Sequence, residues 1–298
     1  MKKFFMALLR GLAYFGIYLG AQFAVQMVWG TVIGFILNSE YAAQGLSTAG
    51  SEYLKRYVED SMRMAEEAAI PMTVVSNILA ILVTSLIFIC NKKKVTKEMS
   101  LRKFHAGAVA PIIMLGLGMN VLTTVVLGLL PEKILDSYQQ SSSWTSTDVG
   151  IMTILLTVVM APLAEEWIMR GLVYSRMRKG MPVIAAMLIS SLLFGVLHKH
   201  PVWIAYAAVL GMVLAWVFER TKSLYAAILL HFSFNLCGML LGFLPETAPD
   251  WVGVAIVAIA VVFTAVGAFL FVRVPKAEEP VEEVVAVAGP VAEGAENL

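Results

Sequence analysis

Three stretches of this chain place groups able to move a proton or hold a developing negative charge inside runs that are otherwise apolar. "APLAEEWIMRGLVY", residues 161–174, carries Glu165, Glu166 and Arg170. "LLFGVLH" sets Phe194 and His198 four residues apart, and "ILLHFSFNLCG" does the same for His231 and Asn235. An ionised side chain near the middle of a spanning helix costs roughly 2.5 to 3.5 kcal/mol on insertion scales, so each such residue asks for a partner or a watery cavity. Glu166 and Arg170, four apart with the carboxylate first, share a helix face and neutralise each other. Glu165 is rotated about 100° from Glu166 on a helix of 3.6 residues per turn, so it must face something else. Pro162 removes one backbone hydrogen bond and loosens the preceding turn. A buried ion pair that only fixes packing accounts for Glu166 and Arg170 and leaves Glu165 without a reason.

Taken singly, the other polar residues have plain readings. His198, near the helix end that Pro201 implies, serves as a capping or interfacial histidine, and His200 likewise. His231 and Asn235 serve as polar contacts between helices. Together they differ. A carboxylate with no local cation, two histidines and an amide are the parts of a hydrolytic site: a base to activate water, and donors for an oxyanion.

The elements that must position these groups are membrane helices. Of 298 residues, 59% are hydrophobic and 14% charged, against about 25% charged in a soluble domain. The net charge of +1 gives no basic excess to suggest nucleic acid. A bilayer core needs roughly 20 apolar residues per helix, and runs at 4–37, 71–91, 106–130, 150–175, 182–199, 201–219, 222–244 and 251–273 predict an all-α polytopic bundle of about eight spans. A closed barrel would need a period-two alternation that these runs lack. The start, "MKKFFMALLRGLAYFG", has the parts of a signal peptide, but Arg10 interrupts the apolar region and hydrophobicity continues to Leu37, so an uncleaved first span is expected.

With the amino terminus in the cytoplasm, sixteen Lys and Arg fall in inner segments and five in outer ones, Arg170 alone lying within a span; the bias alternates at each crossing and predicts an N-in, C-in topology. On that topology a straight fifth helix carries His198 toward its outer end. The expected organisation is three spans with polar outer loops over 1–149, a core over 150–245 and a last span over 246–273. A disordered acidic tail over 274–298 follows. "SEYLKRYVEDSMRMAEEA" predicts an exposed or interfacial helix in the first outer loop. Cys90 and Cys237, far apart in apolar runs, read as buried small hydrophobes, and Gly16 with Gly20 and Gly30 with Gly34 as sites of close helix contact.

"EEWIMR" fits EExxxR, "FGVLH" fits FxxxH and "HFSFN" fits HxxxN, in that order. Over about residues 150–240 the chain therefore resembles the CPBP intramembrane proteases, the group of the type II CAAX prenyl endopeptidases and the bacterial Abi or bacteriocin-immunity proteins. The resemblance implies a membrane endopeptidase with Glu165 activating water, His198 positioning that water, and His231 with Asn235 as the oxyanion hole. It carries over Glu166 and Arg170 as a supporting pair. It also implies a substrate that is a membrane-associated peptide or protein, prenylated CAAX chains being the family's best-known lipidated class, with membrane lipid as surroundings and no nucleic acid. HExxH is absent and the resemblance also implies a metal-free glutamate mechanism, which is preferred, with zinc on Glu165, His198 and His231 as the alternative. Two rival functions are a non-catalytic membrane regulator or immunity protein that keeps the motifs for packing, and a proton-coupled transporter; the second lacks an inverted-repeat counterpart in the first three spans.

Overall fold

The computed structural model describes residues 1–45, 50–142, 150–245 and 247–278. Most of the expected acidic tail, from 279 on, lies outside the described residues. Among the described residues the chain is all helix, and seven helices are long and apolar enough to cross a membrane. In chain order the elements are α1 (Lys2–Ala43), α2 (Ser51–Glu67), α3 (Ala69–Cys90), α4 (Ala106–Gly128) and α5 (Glu132–Ser142). They continue with α6 (Ile151–Arg178), α7 (Val183–Val196), α8 (Pro201–Thr221), α9 (Leu224–Leu241) and α10 (Asp250–Arg273). Large apolar side chains such as Phe35, Leu129, Ile151 and Val254 are exposed along the outside. That is the surface a lipid solvent favours, and the chain is a multi-pass membrane protein.

The predicted fifth span is shorter than expected. At 14 residues α7 rises only about 21 Å, against about 30 Å of hydrocarbon. The apolar run extends to Leu197, but His198 and Lys199 form the turn into α8, with Lys199 left-handed at φ 64°. The α7–α8 hairpin thus turns at His198 instead of carrying it beyond the bundle. Its arms lie close because Gly195 faces the Ile204 carbonyl and Gly211 faces Ser191, where a Cβ would come within 2.5 and 3.0 Å respectively.

α4 packs against α9 and α10, again through glycines: Gly116 abuts the Leu230 carbonyl, Gly118 the Ala260 carbonyl and Gly267 the Pro111 carbonyl. The glycine pairs expected to make such contacts do not. Gly16, Gly20 and Gly30 have nothing within 4 Å of a notional Cβ, and Gly34 meets only the Tyr57 hydroxyl. Gly16, Gly20 and Gly30 lie on the outside of α1, where small size brings no neighbour, and Gly34 faces α2. Cys237 is buried as expected, whereas Cys90, the last residue of α3, is exposed; both are free.

α1 has 42 residues and is about 63 Å long, twice the hydrocarbon thickness, so its end projects past the span. There the expected loop helix forms as α2 and folds back on it. The Tyr41 hydroxyl donates to Asp60 Oδ2 at 2.5 Å, and Tyr41 meets Tyr53 and Tyr57 edge to face.

Candidate active site

The carboxylates sit on α6, which is not a uniform α-helix. Leu155–Met160 and Trp167–Tyr174 are π-helical, and the α-helical turn Ala161–Glu166 between them holds both glutamates. π-Bulges disrupt the regular ladder and concentrate at functional sites. Here Pro162 gives a specific reason. In the π register the Ala161 N–H donates to the Leu156 carbonyl, so the Thr157 carbonyl would look to residue 162, a proline with no N–H. Asn235 Nδ2 fills that need, donating to Thr157 O at 2.7 Å. One of the two amide hydrogens of Asn235 is thereby committed to bracing α9 against α6.

Glu166 is completely buried, and its Oε1 accepts from Arg170 Nη1 at 2.7 Å and from His231 Nδ1 at 2.9 Å. Its Oε2 makes no hydrogen bond to the protein. Arg170, also buried, donates from Nη2 to the Gly211 carbonyl at 3.0 Å and lies over the Phe194 ring, 4.7 Å from its centre. Phe194 is the hub of the cluster. Its ring contacts His198 edge-on at 5.2 Å and His231 at 5.8 Å. Its carbonyl lies 3.1 Å from His198 Nδ1, and since a carbonyl only accepts, Nδ1 carries the hydrogen and Nε2 is left with its lone pair.

Glu165 differs from its neighbour. Its side chain is 19% exposed, has His231 Nε2 at 3.8 Å, and lines a cavity of about 510 Å³ whose wall also includes His198. Glu165, His198 and His231 are therefore brought together through this cavity and the ring of Phe194. Asn235 is attached one helical turn from His231, but its amide goes to Thr157 and it is not part of the cavity wall.

Much of the cavity wall was not anticipated from the sequence. Tyr18, Gln22 and Gln26 recur every fourth residue on one face of α1, and α3 adds Ser76 and Asn77, with the Tyr18 hydroxyl donating to Asn77 Oδ1 at 3.3 Å. The signal was present as a polar stripe in an apolar helix. The Gly211 carbonyl under Arg170 left no such signal, because it is a backbone group from a different helix.

A zinc site requires three protein ligands converging on one point. Among the described residues no three His, Cys, Asp or Glu side chains do so. Nδ1 of His198 and of His231 are engaged with Phe194 and Glu166, which leaves Nε2 as the ring nitrogen of each not held by the protein in this way.

Residues 147–237 match the family model described as type II CAAX prenyl endopeptidase Rce1-like. Over this segment the chain is similar to that family. A Bacillus subtilis (strain 168) protein described as "Putative membrane peptidase YdiL" is 26% identical over 84 residues, which is 28% of this chain and 34% of that protein, so the similarity spans about a third of the relative's length. No solved structure shows significant similarity to the chain. The matched segment contains Glu165, Glu166, Arg170, Phe194, His198, His231 and Asn235, whereas the cavity wall from α1 and α3 lies outside it.

Proposed function

We propose that the chain is an intramembrane endopeptidase that hydrolyses a peptide bond of a membrane-associated protein or peptide with a water activated by Glu165. The observation that carries this reading is the unequal treatment of two adjacent carboxylates. Glu166 is buried against Arg170 and His231, whereas Glu165 faces the cavity that His198 also lines, with the Nε2 of His231 3.8 Å away.

In the proposed reaction a water held between Glu165 and the lone pair of His198 Nε2 loses a proton to Glu165 as its oxygen attacks the peptide carbonyl. Glu165 then returns that proton to the departing amine. His231 donates to the oxyanion from Nε2 when it carries both ring protons. In that state two glutamates, Arg170 and His231 form a neutral cluster, which lowers the cost of keeping them in the bilayer. The remaining amide hydrogen of Asn235 is the second candidate donor. No step calls on a metal.

The rival reading, a non-catalytic membrane regulator or immunity protein, draws on the structural work done by Glu166, Arg170, His231 and Asn235, all of which hold helices together. The two readings separate at Glu165. Peptides from membranes of cells making the intact chain are compared with those from cells making the Glu165→Ala form at equal expression. A protease leaves products that vanish in the variant; a regulator leaves the peptide sets the same.

A further inference from the structure

We infer that the cavity at Glu165 is entered from the non-cytoplasmic side of the membrane, and that its substrate is an unwound stretch of an exported, membrane-associated peptide. This rests on the proteolytic reading above for the word substrate, but the direction of entry stands on separate observations.

The bundle has two distinct ends. At one end, the segments rich in Lys and Arg converge. Arg178 and Lys222 bind Glu219 at 3.0 and 2.8 Å, and Arg176 binds Glu98 at 2.5 Å. Arg102 donates to the Lys222 carbonyl at 2.8 Å, Arg220 donates to the Val274 carbonyl at 2.8 Å, and the Lys3 backbone abuts Gly180. At the other end lie α2, docked on the tip of α1 through Asp60, and α5, docked on the α7–α8 hairpin through Ser137 with His200 at 3.2 Å and Tyr138 with Tyr206 at 3.2 Å. Contacts between distant parts of the chain thus reassemble the two groups that the charge distribution separates. Sixteen basic residues against five assign the first end to the cytoplasm.

The cavity belongs to the second end. Its wall includes Met72 at the start of α3, Ser141 on α5, and Lys199 with His200 on the hairpin turn, and it contains none of the sixteen inner basic residues. The carboxylate of Glu165 and the Tyr18–Asn77 pair are reached from there. A peptide bond can be attacked only where its helix is unwound, and an unwound backbone at membrane depth needs hydrogen-bond partners. Gln22, Gln26, Thr73, Ser76 and Asn77 supply uncharged donors and acceptors along the wall from α1 and α3. A lipidated carboxyl terminus presented from the cytoplasm would have to pass the closed, ion-paired end.

The test uses the full chain in native membranes, with Cys90→Ser and Cys237→Ala removing the two native thiols. Single cysteines are introduced as Ser141→Cys and Met72→Cys at the mouth, and as Lys94→Cys and Lys276→Cys at the opposite end. A membrane-impermeant maleimide is applied to intact cells and to inverted vesicles. Mouth positions should label in intact cells, and Lys94→Cys and Lys276→Cys only in inverted vesicles. Labelling of Ser141→Cys and Met72→Cys only from the inverted side overturns the proposal. The readout does not depend on catalysis: outward labelling together with a membrane peptide set unchanged by Glu165→Ala upholds the direction of entry and overturns the substrate class.

Discussion

Adjacent glutamates on one helix differ because a helix turns them to different surroundings. Glu166 lies over Arg170 by the four-residue spacing, and that pair was legible from sequence because the interaction is local. The contacts that complete it were not, since Phe194, the Gly211 carbonyl and His231 come from three other helices. The two positions should therefore fail differently. Arg170→Met strands a fully buried carboxylate and should cost about 3 to 5 kcal/mol of stability, seen as loss of folded protein in detergent melting. Glu165→Gln, at a partly exposed site, should change stability by less than about 1 kcal/mol while lowering cleavage by roughly 10²- to 10⁴-fold. His198→Phe should keep the contact with Phe194 and lose the lone pair at Nε2, reducing turnover with little change in melting.

At the scale of the element, Pro162 and Asn235 form one device. The proline deprives the Thr157 carbonyl of a backbone donor and the amide replaces it from α9. Asn235→Ala should leave that carbonyl unsatisfied at a cost of about 1 to 3 kcal/mol. In a Pro162→Ala background the restored N–H can serve the carbonyl, so the same change should cost less; a double-mutant cycle on unfolding measures the coupling. From the sequence, Pro162 was readable as a local loosening, but the π register and its repair were not, because the acceptor's new partner is 78 residues away. The shortness of α7 was missed for a related reason: hydropathy does not register a left-handed turn at Lys199. At the far end of α1, the hydrogen bond from Tyr41 and then that from Arg63 hold the Asp60 carboxyl below its usual range. A depressed carboxylate contributes stability above its unfolded pKa of about 3.9 and loses it as pH falls through the lower folded value. Docking of α2 should accordingly weaken below about pH 4, seen as faster amide exchange in α2, and Asp60→Asn should remove that pH dependence.

For the molecule as a whole, the hydropathy runs located the helices to within a few residues, since spanning length and apolar composition are set by the bilayer and not by the partners of each helix. The polar wall contributed by α1 and α3 is the larger surprise: helices outside the matched segment help to build the cavity that the segment's carboxylate faces. The proposed role of Glu165, in that cavity, is to activate the water that cuts a peptide bond. The direct measurement is cleavage by the purified chain in proteoliposomes containing membrane-peptide extract, read by mass spectrometry for the intact protein and for Glu165→Gln with their melting curves alongside. Defined new peptide ends are expected with the intact protein, and their loss with an equally folded Glu165→Gln. Equal cleavage by the two, or none by either, would contradict that role.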